Sequence, residues 1–142
     1  MSAYSEVTTY LGDIPYEAAA AAHAGTSFNP EHRACQEQES YATTLAGDYR
    51  ELEKLATTDA KRATLAVEFP KYHARYRSRY LAYLAARARC LSSMITGPSN
   101  FPTARNAKRN ATADKRTVDV VDYREGALAA IRKALRPELA PI

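Results

Sequence analysis

At 142 residues and 15.7 kDa, the chain has room for one domain, or one domain with a tail. A chain of this length can bury about two-thirds of its unfolded surface, so neither a metal nor a disulfide framework is needed for folding. Hydrophobic content of 46% with 25% charged residues excludes a wholly disordered polypeptide. Apolar runs such as Ala18 to Ala22 are far too short to span a bilayer, and no basic start leads into a hydrophobic stretch, so no secretory signal is expected. Cys35 and Cys90 are too few for a disulfide scaffold and fit a reducing, cytoplasmic compartment as buried thiols.

The net charge of +4 conceals a strong asymmetry. Residues 1–60 carry three basic side chains (Arg33, Arg50, Lys54) against ten acidic ones, a net of −7. Residues 61–116 carry thirteen basic side chains against Glu68 and Asp114 alone, a net of +11, and residues 117–142 carry four of each sign. Such a block points to an anionic partner. An internal arrangement also accounts for it, with the acidic first half packed against the basic middle as complementary helical faces.

In chain order, strand signals are confined to two short β-branched stretches, residues 7–11 and 118–121. Asp13, Pro15 and Glu17 mark a first helix, with Asp13 as its cap, running to about Ala24 before Gly25-Thr-Ser. Asn29-Pro30-Glu31 opens a second helix that extends to about Thr57, with a bend allowed at Gly47. Thr57-Thr58-Asp59 caps a third, in which Pro70 is expected to cause a kink or break. From Lys71 onward Leu81, Leu84, Ala88, Leu91 and Ile95 form an apolar stripe at steps of three and four. Tyr72, Tyr76, Tyr80 and Tyr83 run beside it, flanking the core or interleaving with arginines as a stacking surface. Gly97-Pro98 stops that helix, and Thr103 caps another reaching at least Arg116, with the β-branched residues 117–121 expected to weaken it. A last helix covers about 124–136, leaving 137–142 as a loose tail. The expectation is a single all-α helical bundle over residues 1–136, built on a long helix, a Gly-Pro loop and a basic helix.

Catalytic signatures are sparse. His23, His32 and His73 sit in separate segments; His32 lies near Glu31 and Cys35 but reads as a surface histidine near a helix start, so neither a metal nor a cofactor is expected. Cys90 is expected to be buried, and Cys35 has no activating motif beside it. The basic block says more. In helical register Arg105, Lys108, Arg109, Thr112, Lys115 and Arg116 fall on one face, with Asn106 and Asn110 at its edge. Arg75, Arg79, Arg87 and Arg89 precede them. Lysine and arginine neutralise phosphates and release counterions, the main source of sequence-independent affinity for nucleic acids.

The loop between these basic stretches reads Met94-Ile-Thr-Gly-Pro-Ser-Asn-Phe-Pro, in which Ser99 and Asn100 offer short hydrogen-bonding groups ahead of a helix N-terminus. It lacks the glycine-bounded run ending in Lys-Ser or Lys-Thr of a Walker loop. From Arg87-Ala-Arg-Cys through Met94-Ile-Thr-Gly-Pro-Ser-Asn-Phe-Pro to Arg105-Asn-Ala-Lys-Arg, the segment resembles a motif in small uncharacterised proteins and large-polyvalent-protein-associated modules of phages and conjugative elements. The resemblance spans about residues 76–116. It implies a phage or mobile-element product acting in a bacterial cytoplasm and names no activity.

Three functions follow as expectations. The first is a non-enzymatic module whose basic helix-loop-helix engages DNA or RNA. The second is an anti-defence inhibitor of the anti-CRISPR kind, gripping a nucleic-acid-binding host protein complex through the same face. The third is an enzyme acting on a nucleotide at the loop. For the first two, the candidate contacts are Arg75, Arg79, Arg87, Arg89, Ser99, Asn100, Arg105, Asn106, Lys108, Arg109, Lys115 and Arg116. No membrane partner is expected.

Overall fold

A computed structural model describes residues 3–90 and 103–136. Every regular element among them is helical. Three 3-10 turns (Ala3–Ser5, Val7–Thr9 and Leu11–Asp13) lead into α1 (Tyr16–Ala24), α2 (Pro30–Leu55), α3 (Asp59–Arg87) and α4 (Thr103–Leu135). Helix α4 packs most extensively on α3, α1 lies against α2 and α3, and the 3-10 turns run along α2. The fold is all-α.

Local chemistry sets the helix starts. The Asn29 side chain accepts from the His32 backbone N–H at 3.3 Å, with Pro30 in the first turn, so α2 begins where its free amides are met. The Thr58 hydroxyl accepts from the Lys61 N–H at 3.1 Å and opens α3 in the same way. Asp13, by contrast, does not cap α1. The helix starts after Pro15, and the Asp13 carboxylate accepts instead from the Tyr41 hydroxyl at 2.7 Å and His73 Nε2 at 2.6 Å.

Four further expectations need correction. Residues 7–11 and 118–121 form no strand: the first stretch is in 3-10 turns and the second lies inside α4. Pro70 does not break α3, which runs uninterrupted from Asp59 to Arg87. Phe69 and Tyr72 on either side of it are buried, and their packing offsets the one hydrogen bond that proline removes. Helix α4 is continuous through residues 117–124, where the sequence predicts two helices; Val120 is buried there, so tertiary packing overrides the β-branched penalty. Gly47 likewise lies inside an unbroken α2.

The fourth correction concerns the core stripe of α3. Leu84 is buried, but Leu81 is only half-buried and Ala88 lies beyond the helix end, exposed. The buried line is Leu65, Phe69, Tyr72, Tyr76, Tyr80 and Leu84, so the tyrosines are the core. Their rings follow in series at centroid spacings of 5.7 Å (Tyr72–Tyr76) and 5.9 Å (Tyr76–Tyr80). A buried tyrosine must find a partner for its hydroxyl, and the acidic first half provides one. Tyr72 donates to Asp48 at 2.6 Å and Tyr80 donates to Glu37. Cys90 is buried as expected, and burial pushes its thiol up from the ordinary range; Cys35, expected to be buried as well, is instead exposed on α2. The Gly97-Pro98 loop with Leu91, Ile95, Ser99, Asn100 and Phe101, and the tail at 137–142, lie outside the described residues.

Candidate nucleic-acid interface

The leading half of α4 and the trailing end of α3 face each other across a cleft of about 560 Å³. Its floor is Ala82, Ala85 and Ala86 of α3, at steps that put three methyl groups on one helical face. Its walls carry Arg105, Lys108, Arg109 and Arg116 from α4, with Thr112 between them, and Arg89 from just past the end of α3. The small floor allows a partner close to both helices, and the cations converge on the space above it.

The internal-pairing account does not cover these cations. Among the described residues, the ion pairs are His23–Glu37, Lys54–Glu51, Arg62–Asp59, Lys71–Glu68, His73–Asp13 and Arg124–Asp48. None involves a cleft side chain. Arg109 Nη1 donates to the Arg89 carbonyl at 3.4 Å, which ties the basic helix to the end of α3 without neutralising either charge.

The remaining candidates disperse. Lys115 is exposed on α4 beside the cleft without lining it. Arg79 is held 4.0 Å above the Tyr123 ring in a cation–π contact, and its Nη1 reaches the Arg75 carbonyl at 3.5 Å. Arg75 is exposed on the same stretch of α3, away from the cleft lining. Arg87 is half-buried, and its Nε is buried with no hydrogen-bond partner among the described residues. Asn106, expected at the edge of the basic face, is turned inward and buried, because it shares the inner face of α4 with Ala113 and Val120. Ser99 and Asn100 lie outside the described residues.

The three alanines of the floor do not stand out in the sequence. The spacing of Ala82, Ala85 and Ala86 beside Arg89 carries the signal, but alanine is common in any helix. A second concavity escapes sequence reading entirely. It measures about 410 Å³ and gathers residues from all four helices around Glu37, including His23, Tyr76, Tyr80, Tyr83 and Val120. Glu37 accepts from His23 Nε2 at 3.0 Å, from the Tyr80 hydroxyl and from the Tyr83 hydroxyl at 3.4 Å. Burial and these contacts to Glu37 push the Tyr80 hydroxyl well above its ordinary range. Its members lie as far as 98 positions apart in the chain (His23 to Val121), so no local motif could reveal it.

Among the described residues, no group of three His, Cys, Asp or Glu side chains is placed to hold a metal ion, and no helix is long and apolar enough to cross a membrane. Comparison with family models, curated proteins and solved structures finds no match to the chain.

Proposed function

We propose that the α3–α4 cleft binds the phosphate backbone of duplex nucleic acid. The observation that carries this reading is the convergence of Arg89, Arg105, Lys108, Arg109 and Arg116 on one alanine-floored cleft, with no ion pair among the described residues to neutralise them. Phosphates satisfy such a set by charge and by hydrogen bonding, and the contacts carry no base code. The duplex preference rests on the aromatic rings. Single strands are commonly gripped by stacking bases on exposed rings. Here Tyr72, Tyr76 and Tyr80 are buried, and Tyr123 lies under Arg79. The phage or mobile-element context suggested by the loop motif is compatible with such a protein.

Fluorescence anisotropy with a labelled duplex and the matching single strand, over a series of salt concentrations, tests the reading. The expected result is tighter binding of the duplex, with log K falling linearly with log salt. Tighter binding of the single strand, or no duplex binding at low salt, overturns it. In the latter case an acidic patch on a host protein complex becomes the favoured partner, the anti-defence reading. The alanine floor supports that second reading, since it can seat an apolar side chain between the cations.

A further inference from the structure

The Glu37 concavity shares no lining residue with the basic cleft and is built differently. Its volume of about 410 Å³ falls in the range of small-molecule sites. Tyr76, Tyr80 and Tyr83 supply aromatic walls, and Val120 and Val121 of α4 close the apolar side. Glu37 is held in place by His23, Tyr80 and Tyr83, and all three donate to it. A carboxylate offers about four acceptor positions, so one remains for a ligand, and the long 3.4 Å bond from Tyr83 is easily exchanged for another. Arg33 lines the same concavity, exposed to solvent, with Nη1 3.4 Å from the Gln36 amide oxygen.

A ligand matched to this set is planar, presents N–H donors along one edge and carries an anion at its other end. We infer that the pocket binds a purine nucleoside 5′-monophosphate with guanine as its base. The guanine edge places two adjacent N–H donors toward Glu37. Adenine would set a ring-nitrogen lone pair against the carboxylate in the same pose. The half-buried Tyr83 ring lies against the base, the buried Tyr76 and Tyr80 present only their edges behind Glu37, and the phosphate reaches Arg33 at the rim. This site stands independently of the cleft, so the triple variant Arg105→Gln/Lys108→Gln/Arg109→Gln should bind the nucleotide as the parent protein does.

Calorimetric titration of the full chain with GMP, AMP, guanosine and inorganic phosphate provides the test. GMP should bind with Kd below about 1 mM and at least about tenfold more tightly than AMP. Glu37→Gln, which replaces one acceptor oxygen by a donor, should erase the preference between the two bases. Arg33→Gln should bring GMP to the affinity of guanosine. Because Glu37 also supports the fold, Val121→Trp is the second variant: Val121 is half-exposed, so a larger ring there fills the mouth, abolishing binding with an unchanged melting temperature. Equal affinity for GMP and AMP, saturation by phosphate alone, or undiminished binding by Val121→Trp each overturns the assignment.

Discussion

Asp48 ties α2 to both α3 and α4. It lies in α2, is buried, and accepts Arg124 Nε at 3.0 Å and Nη2 at 2.6 Å as well as the Tyr72 hydroxyl. Asp48→Ala strips a partly buried guanidinium and a buried hydroxyl of their acceptor at once. A loss of about 2–4 kcal/mol is expected, below the upper end for a fully buried pair because Arg124 keeps some contact with water. Denaturant unfolding measures it, and a loss under about 0.5 kcal/mol would place this pair with ordinary surface bridges. The tyrosines make a second prediction. Burial raises the hydroxyls of Tyr10, Tyr41, Tyr72 and Tyr80 beyond their usual range, and pushes Tyr76 up to about 12. A raised folded-state pKa stabilises the protein fully below the unfolded value near 10, and that contribution is lost as pH rises through the folded value. Stability should therefore hold up to about pH 10 and fall steeply above it, with tyrosinate absorbance and helix loss rising together. Tyrosinate forming well before the helix signal changes would mean that these rings are open to solvent. Sequence periodicity locates this line of tyrosines but not its role, because the carboxylates that let the rings bury come from residues 24 and 43 positions earlier.

At the scale of elements, caps are readable and interruptions are not. Asn29 and Thr58 act where their sequence context places them, since a cap depends on a few neighbouring residues. Pro70 and the β-branched run at 117–121 read as helix breakers, yet both lie within helices whose buried faces hold them. Gly126 is a third weak point in α4, and a Cβ built there meets nothing within 4 Å. Gly126→Ala should thus stabilise the protein by about 0.5–1 kcal/mol through reduced backbone freedom in the unfolded chain. Thermal unfolding decides this, and an unchanged or lower midpoint would argue against a continuous α4. The leading half of the same helix carries the functional prediction. The variant Arg105→Gln/Lys108→Gln/Arg109→Gln removes three cleft cations while keeping good helix formers, so its stability should change by only a few tenths of a kcal/mol per site. Duplex affinity should fall, and the salt slope should drop by about one unit for each phosphate that is no longer neutralised. Retention of the parental salt slope would remove this face from the binding surface.

For the molecule as a whole, the charge asymmetry resolves into two placements. Acidic side chains of the first half go partly inward, where Asp13, Glu37 and Asp48 each receive at least one tyrosine hydroxyl. Five cations of the middle, Arg89, Arg105, Lys108, Arg109 and Arg116, line the cleft instead. The Asp48–Arg124 bond spans 76 residues of chain, and this separation bears on how the protein is made. A ribosome releases α2 long before α4, at about 5–20 residues per second. Through that interval Asp48 has no counter-charge, and withdrawing it from water alone would cost several kcal/mol. The region around Asp48 is therefore expected to stay hydrated until Arg124 emerges, and a chain cut short of Arg124 should bury that carboxylate only at a cost in stability.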